Sequence, residues 1–220
     1  MYGKGLLHYL ARPMPALLHP MRSERGIAAA PILLLTGFGL FVIVIGFLVV
    51  SSMMPREALV FEPTPIGSTS ASVQTLLHDT VTIDSQDPTT WHFFDFDRAS
   101  IVLPPDTAGW DLAIRRFAVI AADAVTDMGP AAFDEVTEAP VAGFVKTSFG
   151  RDTLNAAIDR WYRYSMVSHL LEPNGHVYVV RTRESRFAKL EFLSYYCPGA
   201  VAGCLTFRYV YQPNGEREWQ

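Results

Sequence analysis

The sequence is poor in cysteine and in charged residues, and these shortages exclude several classes of protein. It has only two Cys in 220 residues, too few for a disulfide-rich scaffold or a four-cysteine zinc site. Only 18% of the residues are charged, the net charge is −4, and no basic run occurs, so nothing indicates nucleic-acid binding. Half of the residues are hydrophobic, which excludes a disordered chain. The length favours one folded domain with an added segment.

The common catalytic motifs are also missing. The sequence has no G-x-S-x-G, G-x-G-x-x-G, Walker loop, H-E-x-x-H or C-x-x-C-H pattern. Asp95, Asp97 and Asp111 lie near aromatic residues and resemble an acid–base pair, but carboxylates in β-domains usually cap turns or face solvent. We therefore predict that the protein is not an enzyme.

One long apolar run, from Ile27 to Val50, contains no Asp, Glu, Lys, Arg or His. A helix of this length spans about 36 Å, enough to cross a hydrocarbon core of about 30 Å. The alternative is a signal peptide, whose apolar region is usually only about 7–15 residues long and ends at an A-x-A site. No such site follows the run, so the sequence predicts an uncleaved transmembrane helix over residues 27–50, in contact with the lipid bilayer.

The charges on the two sides of this run predict its orientation. Residues 1–26 carry four basic side chains and one acidic one, whereas the rest of the chain carries 14 basic and 21 acidic ones. The positive-inside rule then places the N-terminus in the cytoplasm and the C-terminal part in the periplasm, with the helix in a bacterial inner membrane. Residues 1–26 are also rich in apolar residues, and either lie along the cytoplasmic interface or form a free tail.

The remainder of the chain predicts a linker followed by a β-rich domain. Residues 51–72 are rich in Pro, Ser and Thr, which is typical of an extended linker. From residue 73 to residue 220, short apolar runs separated by turns predict a single all-β or β-dominated domain. The spacing of apolar residues over 153–164 predicts one short helix. Another run alternates so that three apolar side chains share one strand face: Trp110, Leu112 and Ile114.

Four stretches with strand–turn–strand character follow one another in this domain. They are WHFFDFDRASIV, then GWDLAIRRFAVI, then WYRYSMVSHLLEPNGHVYVVRTRESRFAKLEF, and finally LSYY with TFRYVYQPNG. Their order and spacing resemble the HmuY-like family of bacterial surface and periplasmic proteins, over roughly residues 73–215. This resemblance implies a β-sandwich-like fold with two sheets around a core and long loops at one end. It also implies haem as a ligand to consider, because the best-known members bind haem through two protein side chains.

Haem ligation requires His or Met side chains that face each other across a dry slot. His169 and His176 lie on either side of a Pro-Asn-Gly turn and are the candidate ligands. The alternative is a structural role, because the resemblance includes a Tyr-x-x-x-x-His pattern before a turn at His169. No residue matches a ligand position of the family, so we expect no cofactor, with haem as the alternative.

Cys197 and Cys204 lie between two predicted strands, on either side of a short loop. In an oxidising periplasm a disulfide at the neck of this hairpin is expected. A redox couple or a metal site remains as the alternative.

Three classes of function follow from these observations. The first is a non-enzymatic, single-span accessory subunit of a larger bacterial membrane complex, with its β-domain docked on the periplasmic face. Photosynthetic reaction-centre, light-harvesting and respiratory complexes are examples by analogy only. The second is a membrane-tethered haem-binding protein, and the third is an enzyme.

Two further groups of residues suit contacts with a partner. Gly37, Gly39 and Gly46 are small residues that suit helix packing. Arginines form either a solvated face or a docking surface for an acidic partner, at Arg115, Arg116, Arg181, Arg183 and Arg186.

Overall fold

The computed structural model describes residues 29–53, 58–66, 76–103 and 109–219. These residues belong to two compact units, an N-terminal helix and a β-domain, with the division after Met53. The predicted tail over residues 1–26 and the predicted start of the apolar helix at Ile27 lie outside the described residues.

The helix α1 covers Ala29–Met53 and carries no charged side chain. Its 25 residues give a length of about 38 Å, which is sufficient to cross a membrane. The hydroxyl of Thr36 donates to the backbone C=O of Ile32 at 3.0 Å, so this polar group is satisfied within the helix. The helix continues past the predicted end at Val50 through two serines. By length and composition, α1 fits either a membrane anchor or a signal sequence.

Twelve strands form the described part of the β-domain. In chain order they are β1 (Leu77–Asp84), β2 (His92–Asp95), β3 (Ser100–Val102), β4 (Leu112–Arg115), β5 (Ala118–Ala121), β6 (Ala124–Asp127), β7 (Val145–Lys146), β8 (Tyr162–Tyr164), β9 (Leu171–Pro173), β10 (Val177–Arg181), β11 (Phe187–Cys197) and β12 (Val201–Gln212). One sheet has the order β1–β12–β11–β10–β6–β7, a second has the order β3–β2–β4–β5, and β8 pairs with β9 in a hairpin. The predicted all-β, sandwich-like class is therefore confirmed.

The main core lies between the two larger sheets, because alternate residues of their strands point towards each other. The ring of Phe94 in β2 lies edge-on to the rings of Phe207 and Tyr209 in β12, with centroids 5.5 and 5.6 Å apart. Such aromatic pairs add about 0.5–1.5 kcal/mol to the effect of burial. Trp161 is also buried, and its indole N–H donates to the C=O of Phe117 at 2.8 Å, so no hydrogen bond is lost.

The strand face predicted for Trp110 is wrong. Leu112 and Ile114 contribute to the main core, whereas Trp110 packs with Ala113 in a separate cluster on the opposite face of the small sheet. The reason is that β4 begins only at Leu112. Alternation of faces holds within a strand, so it does not extend back to a residue before the strand begins.

The short helix predicted over residues 153–164 is also not formed. Turn residues 156–160 lead directly into β8 instead. The C=O of Asn155 accepts hydrogen bonds from the N–H groups of Ile158 and Asp159, which gives a single turn that is not continued. The apolar spacing therefore came from one turn followed by a strand. The helical turns of the described β-domain are short 3₁₀ segments at Phe133–Glu135 and Pro198–Ala200.

Part of the predicted linker over residues 51–72 lies against the β-domain. Residues 58–66 form no helix or strand, apart from an isolated bridge between Val60 and Tyr196. Within them, the N–H of Thr64 donates to the C=O of Thr82, and the N–H of Thr82 donates to the hydroxyl of Thr64, both at 2.9 Å. These bonds cover part of the outer edge of β1, which reduces the exposed edge of the large sheet.

Candidate functional site

The β8–β9 hairpin carries His169 in the turn at its tip. The backbone of His169 has a positive φ of 58°, and its N–H donates to the C=O of Ser165 at 2.8 Å. Its ring Nδ1 lies 2.7 Å from the hydroxyl of Tyr164, so the tyrosine orients the imidazole. Two apolar residues of the same turn, Met166 and Val167, are 75% and 76% exposed. The tip therefore presents an oriented imidazole beside an apolar surface.

His176 lies beyond the other end of β9, in the turn that leads to β10. Its N–H donates to the side-chain oxygen of Asn174 at 2.9 Å, and Gly175 allows this turn with a φ of 76°. Its ring Nδ1 lies 2.9 Å from a carboxylate oxygen of Asp127 at the end of β6. This contact links β6 to the hairpin, so His176 has a structural partner on a different strand.

The structure does not bring His169 and His176 together. The three residues of β9 lie between them, which separates the two turns by about 10 Å along the strand. Two axial ligands of one iron must face each other across the haem plane. The described residues therefore do not fit a haem held by this pair. Each histidine remains a prediction on its own.

His92, a third histidine of the β-domain, lies at the start of β2. Its ring Nε2 is buried and has no hydrogen-bond partner among the described residues. Buried polar atoms are nearly always paired with protein, water or ligand, so an unpaired one indicates a partner that is missing. The sequence alone gave no signal for this burial, because it depends on packing at the ends of both sheets.

Cys197 and Cys204 form the expected disulfide, with Cα atoms 4.9 Å apart. It closes the neck of the turn that joins β11 to β12, so the structure confirms the hairpin link. In the large sheet, Cys204 pairs with Asp84 at the end of β1. The disulfide therefore links β11 to β12 beside the end of β1.

Two carboxylates considered as an acid–base pair are buried caps of turns. Asp111 accepts the N–H of Phe96 at 2.9 Å, and Asp95 accepts the N–H groups of Asp97 and Arg98 at 2.8 and 3.2 Å. Burial raises the pKa of Asp111 to about 8, and it also raises the pKa of Asp95. The sequence predicted that these carboxylates cap turns or face solvent, and Asp95 and Asp111 cap turns while Asp97 is exposed.

All five of the arginines singled out in the sequence have partners within the domain, and Arg116 donates to the C=O groups of Gln86 and Ala202 at 3.2 and 3.4 Å. Two guanidinium groups lie over tryptophan rings, at 4.6 and 5.2 Å from the ring centroids, and two form ion pairs with carboxylates. The pairs are Arg115–Trp91, Arg183–Trp110, Arg181–Asp123 and Arg186–Asp97. These side chains therefore hold strands and turns together, so they do not form a purely solvated face.

A family model described as HmuY protein matches residues 87–209, which is more than half of the chain. No curated protein matches the chain. The family match agrees with the resemblance inferred from the sequence motifs, and it covers most of the β-domain.

Solved structures of bacterial proteins share this fold. An apo HmuY analogue of Tannerella forsythia aligns with a TM-score of 0.57 and 16% identity, covering 64% of this chain and 99% of its own. A putative lipoprotein of Bacteroides fragilis gives 0.53 and 22%, covering 61% and 89%. A putative HmuY-like heme-binding protein of Bacteroides vulgatus gives 0.53 and 19%, covering 71% and 98%. At these identities the likeness shows the fold.

Proposed function

This chain belongs to the HmuY family, and on that premise we propose that it is a non-enzymatic, membrane-tethered accessory subunit. Helix α1 anchors it in the bacterial inner membrane with the N-terminus in the cytoplasm. The β-domain docks on the periplasmic face of a larger membrane protein complex. Respiratory, photosynthetic reaction-centre and light-harvesting complexes are candidate assemblies by analogy only.

The composition of α1 supports the membrane part of this proposal. A helix that is apolar on all sides requires an apolar environment on all sides, which a bilayer provides. Three glycines in the helix have open space where a side chain would begin, at Gly37, Gly39 and Gly46. Small residues allow a neighbouring transmembrane helix to approach closely. The same helix is therefore suited to pack against another subunit within the bilayer.

The observation that carries the docking proposal is the exposed apolar tip of the β8–β9 hairpin. Scattered exposed apolar residues are normal, but Met166 and Val167 are adjacent, strongly exposed and next to the half-exposed ring of Tyr164. A projecting tip with an aromatic residue and two aliphatic ones has the composition of a contact centre in a protein interface. Burial of this tip by a partner removes apolar area from water, which is the main favourable term in association.

Co-purification of the full chain from its native membranes tests this proposal. We expect the chain to migrate with larger subunits on a native gel in mild detergent, and mass spectrometry identifies them. The double variant Met166→Ser/Val167→Ser should lose most of this association. Val141→Ser provides the matched control, because Val141 is 82% exposed and lies outside the hairpin. A chain that always migrates alone, or a double variant that associates like the control, would refute the proposal.

A second candidate function is haem binding, which the name of the Bacteroides vulgatus neighbour and the oriented imidazole of His169 both favour. Titration of the full chain with haemin should then produce a shifted Soret band. The band should be lost in His169→Ala and kept in His176→Ala, because His176 lies at the far end of β9. An unchanged haemin spectrum excludes this candidate. If the band is lost only in His176→Ala, His169 is not the haem ligand.

A further inference from the structure

The tripeptide Pro-Asn-Gly occurs twice in the β-domain, and both copies lie at the end of a strand. The first has Asn174 between β9 and β10, and the second has Asn214 just after β12. The glycines that follow have positive φ values of 76° and 82°. In both turns the side-chain oxygen of the asparagine accepts the N–H two residues further on, at 2.9 and 2.8 Å. The two copies therefore share both sequence and local turn features.

An asparagine before a glycine is prone to deamidation, because glycine has no Cβ to shield its backbone nitrogen. In this reaction the backbone nitrogen of the glycine forms a bond to Cγ of the asparagine, and the bond between Cγ and Nδ2 breaks. The proton of the glycine N–H leaves with Nδ2 as ammonia. Water then opens the five-membered succinimide ring and gives aspartate or isoaspartate. Water is the one co-reactant, and either product carries a carboxylate in place of a neutral amide.

The side-chain amide of Asn174 is held by hydrogen bonds at both ends. Its Nδ2 donates to the C=O of Arg160 at 2.9 Å and to the hydroxyl of Tyr178 at 2.8 Å. Tyr178 is itself buried in the main core, so this acceptor is fixed in place. Attack on Cγ requires the amide to rotate and Nδ2 to leave, and both bonds have to break first. Two such bonds slow the reaction by about tenfold or more.

The side-chain amide of Asn214 lacks this protection. Asn214 is exposed, and its side-chain oxygen accepts the N–H of Glu216 at 2.8 Å. Within the described part of the chain, its Nδ2 has no hydrogen-bond partner. The leaving nitrogen therefore faces water, and no bond to Nδ2 within the domain has to break before the amide rotates.

The chain on either side of the Asn214 turn is fastened to the domain. Before the turn, β12 pairs with both β1 and β11 in the large sheet. After it, the N–H of Trp219 donates to the C=O of Thr137 at 3.0 Å, and the C=O of Arg217 accepts the N–H of Ala139 at 2.8 Å. Isoaspartate adds one carbon to the main chain, and the exposed turn between these fixed segments accommodates it. The modified protein therefore stays folded and accumulates.

We propose that Asn214 is a site of spontaneous deamidation, and that the fold protects Asn174 from the same reaction. The product carries one more negative charge than the original chain, in the turn after β12. This proposal is independent of the docking function, because Asn214 lies outside the β8–β9 hairpin and is far along the chain from Met166 and Val167.

Timed incubation of the full chain in mild detergent, at neutral pH and physiological temperature, tests the proposal. Peptide mass spectrometry measures the fraction of each asparagine converted, and separates aspartate from isoaspartate by chromatography. We expect Asn214 to react at least about tenfold faster than Asn174. In concentrated urea, which removes the fold, the difference should largely disappear because the tripeptides are identical.

Tyr178→Phe tests the cause of the protection. This variant keeps the buried ring but removes one acceptor from Nδ2 of Asn174, so Asn174 should react severalfold faster while Asn214 is unchanged. Circular dichroism confirms that the variant is folded. The proposal is overturned if the two asparagines react equally in the folded chain, if their difference persists in urea, or if Tyr178→Phe leaves Asn174 unchanged. None of these measurements depends on co-purification, so failure here is distinguishable from failure of the docking proposal.

Discussion

Replacement of Asp111 by Asn tests the burial of this carboxyl through the pH dependence of folding. Asp111 is only 4% exposed, and this burial raises the pKa of its carboxyl group from 3.8 to about 8. The negative charges of Asp95, Asp97 and Glu184 act in the same direction. The unfolded chain releases this proton near pH 4, whereas the folded chain keeps it up to about pH 8. Stability that is present below pH 4 is therefore lost progressively as the pH rises towards about 8.

The magnitude follows from the size of this shift. Each pH unit in the window removes about 1.4 kcal/mol from the free energy of unfolding, which gives about 3 kcal/mol between pH 5 and pH 7. Asn has the same shape as Asp and keeps an oxygen for the N–H of Phe96, but it has no proton to release. The difference between Asp111→Asn and the wild type should therefore grow by about 3 kcal/mol over this range, in favour of the variant.

Urea unfolding of the full chain in mild detergent measures this difference. Tryptophan fluorescence follows the β-domain specifically, because all four Trp residues lie there. Asp79→Asn is the matched control, because it makes the same substitution at an exposed carboxylate of β1. If the Asp111→Asn difference changes by less than about 0.5 kcal/mol, the usual size of a surface effect, the carboxyl is ionised in the folded protein and the reasoning fails.

Three further substitutions test the packing by urea unfolding. Removal of the disulfide in Cys197→Ser/Cys204→Ser should lower the free energy of unfolding by about 2–3 kcal/mol, and equal stability with and without reductant in the wild type contradicts this. Gly203→Ala should lower the free energy of unfolding by at least about 2 kcal/mol, because Gly203 has a φ of 120° and lies close to the backbone of Gln86. Gly150→Ala is the control: this glycine has open space around it, so the loss should be less than about 1 kcal/mol. Phe94→Ala should cost about 3–5 kcal/mol through the cavity it leaves between the sheets, and a loss below about 1 kcal/mol contradicts the proposed core.

The features predicted correctly from the sequence depend on residues that are close along the chain. Cys197 and Cys204 meet because a short turn, which includes Pro198–Ala200, joins two antiparallel strands. The sandwich-like class likewise follows from short alternating runs and turns. The face of Trp110 was not predictable in this way, because the start of β4 is decided by its pairing with β2 and β5. The apolar spacing over residues 153–164 is equally compatible with a helix and with a turn followed by a strand.

The candidate site shows the same limit. The sequence identifies His169 and His176 as candidate haem ligands, but their separation depends on β9 forming a strand between them. Similarly, the burial of Asp111 and of the Nε2 of His92 depends on how distant strands pack. Residue types and spacing therefore indicate which groups are available, whereas the pairing of strands decides which of them face a common space.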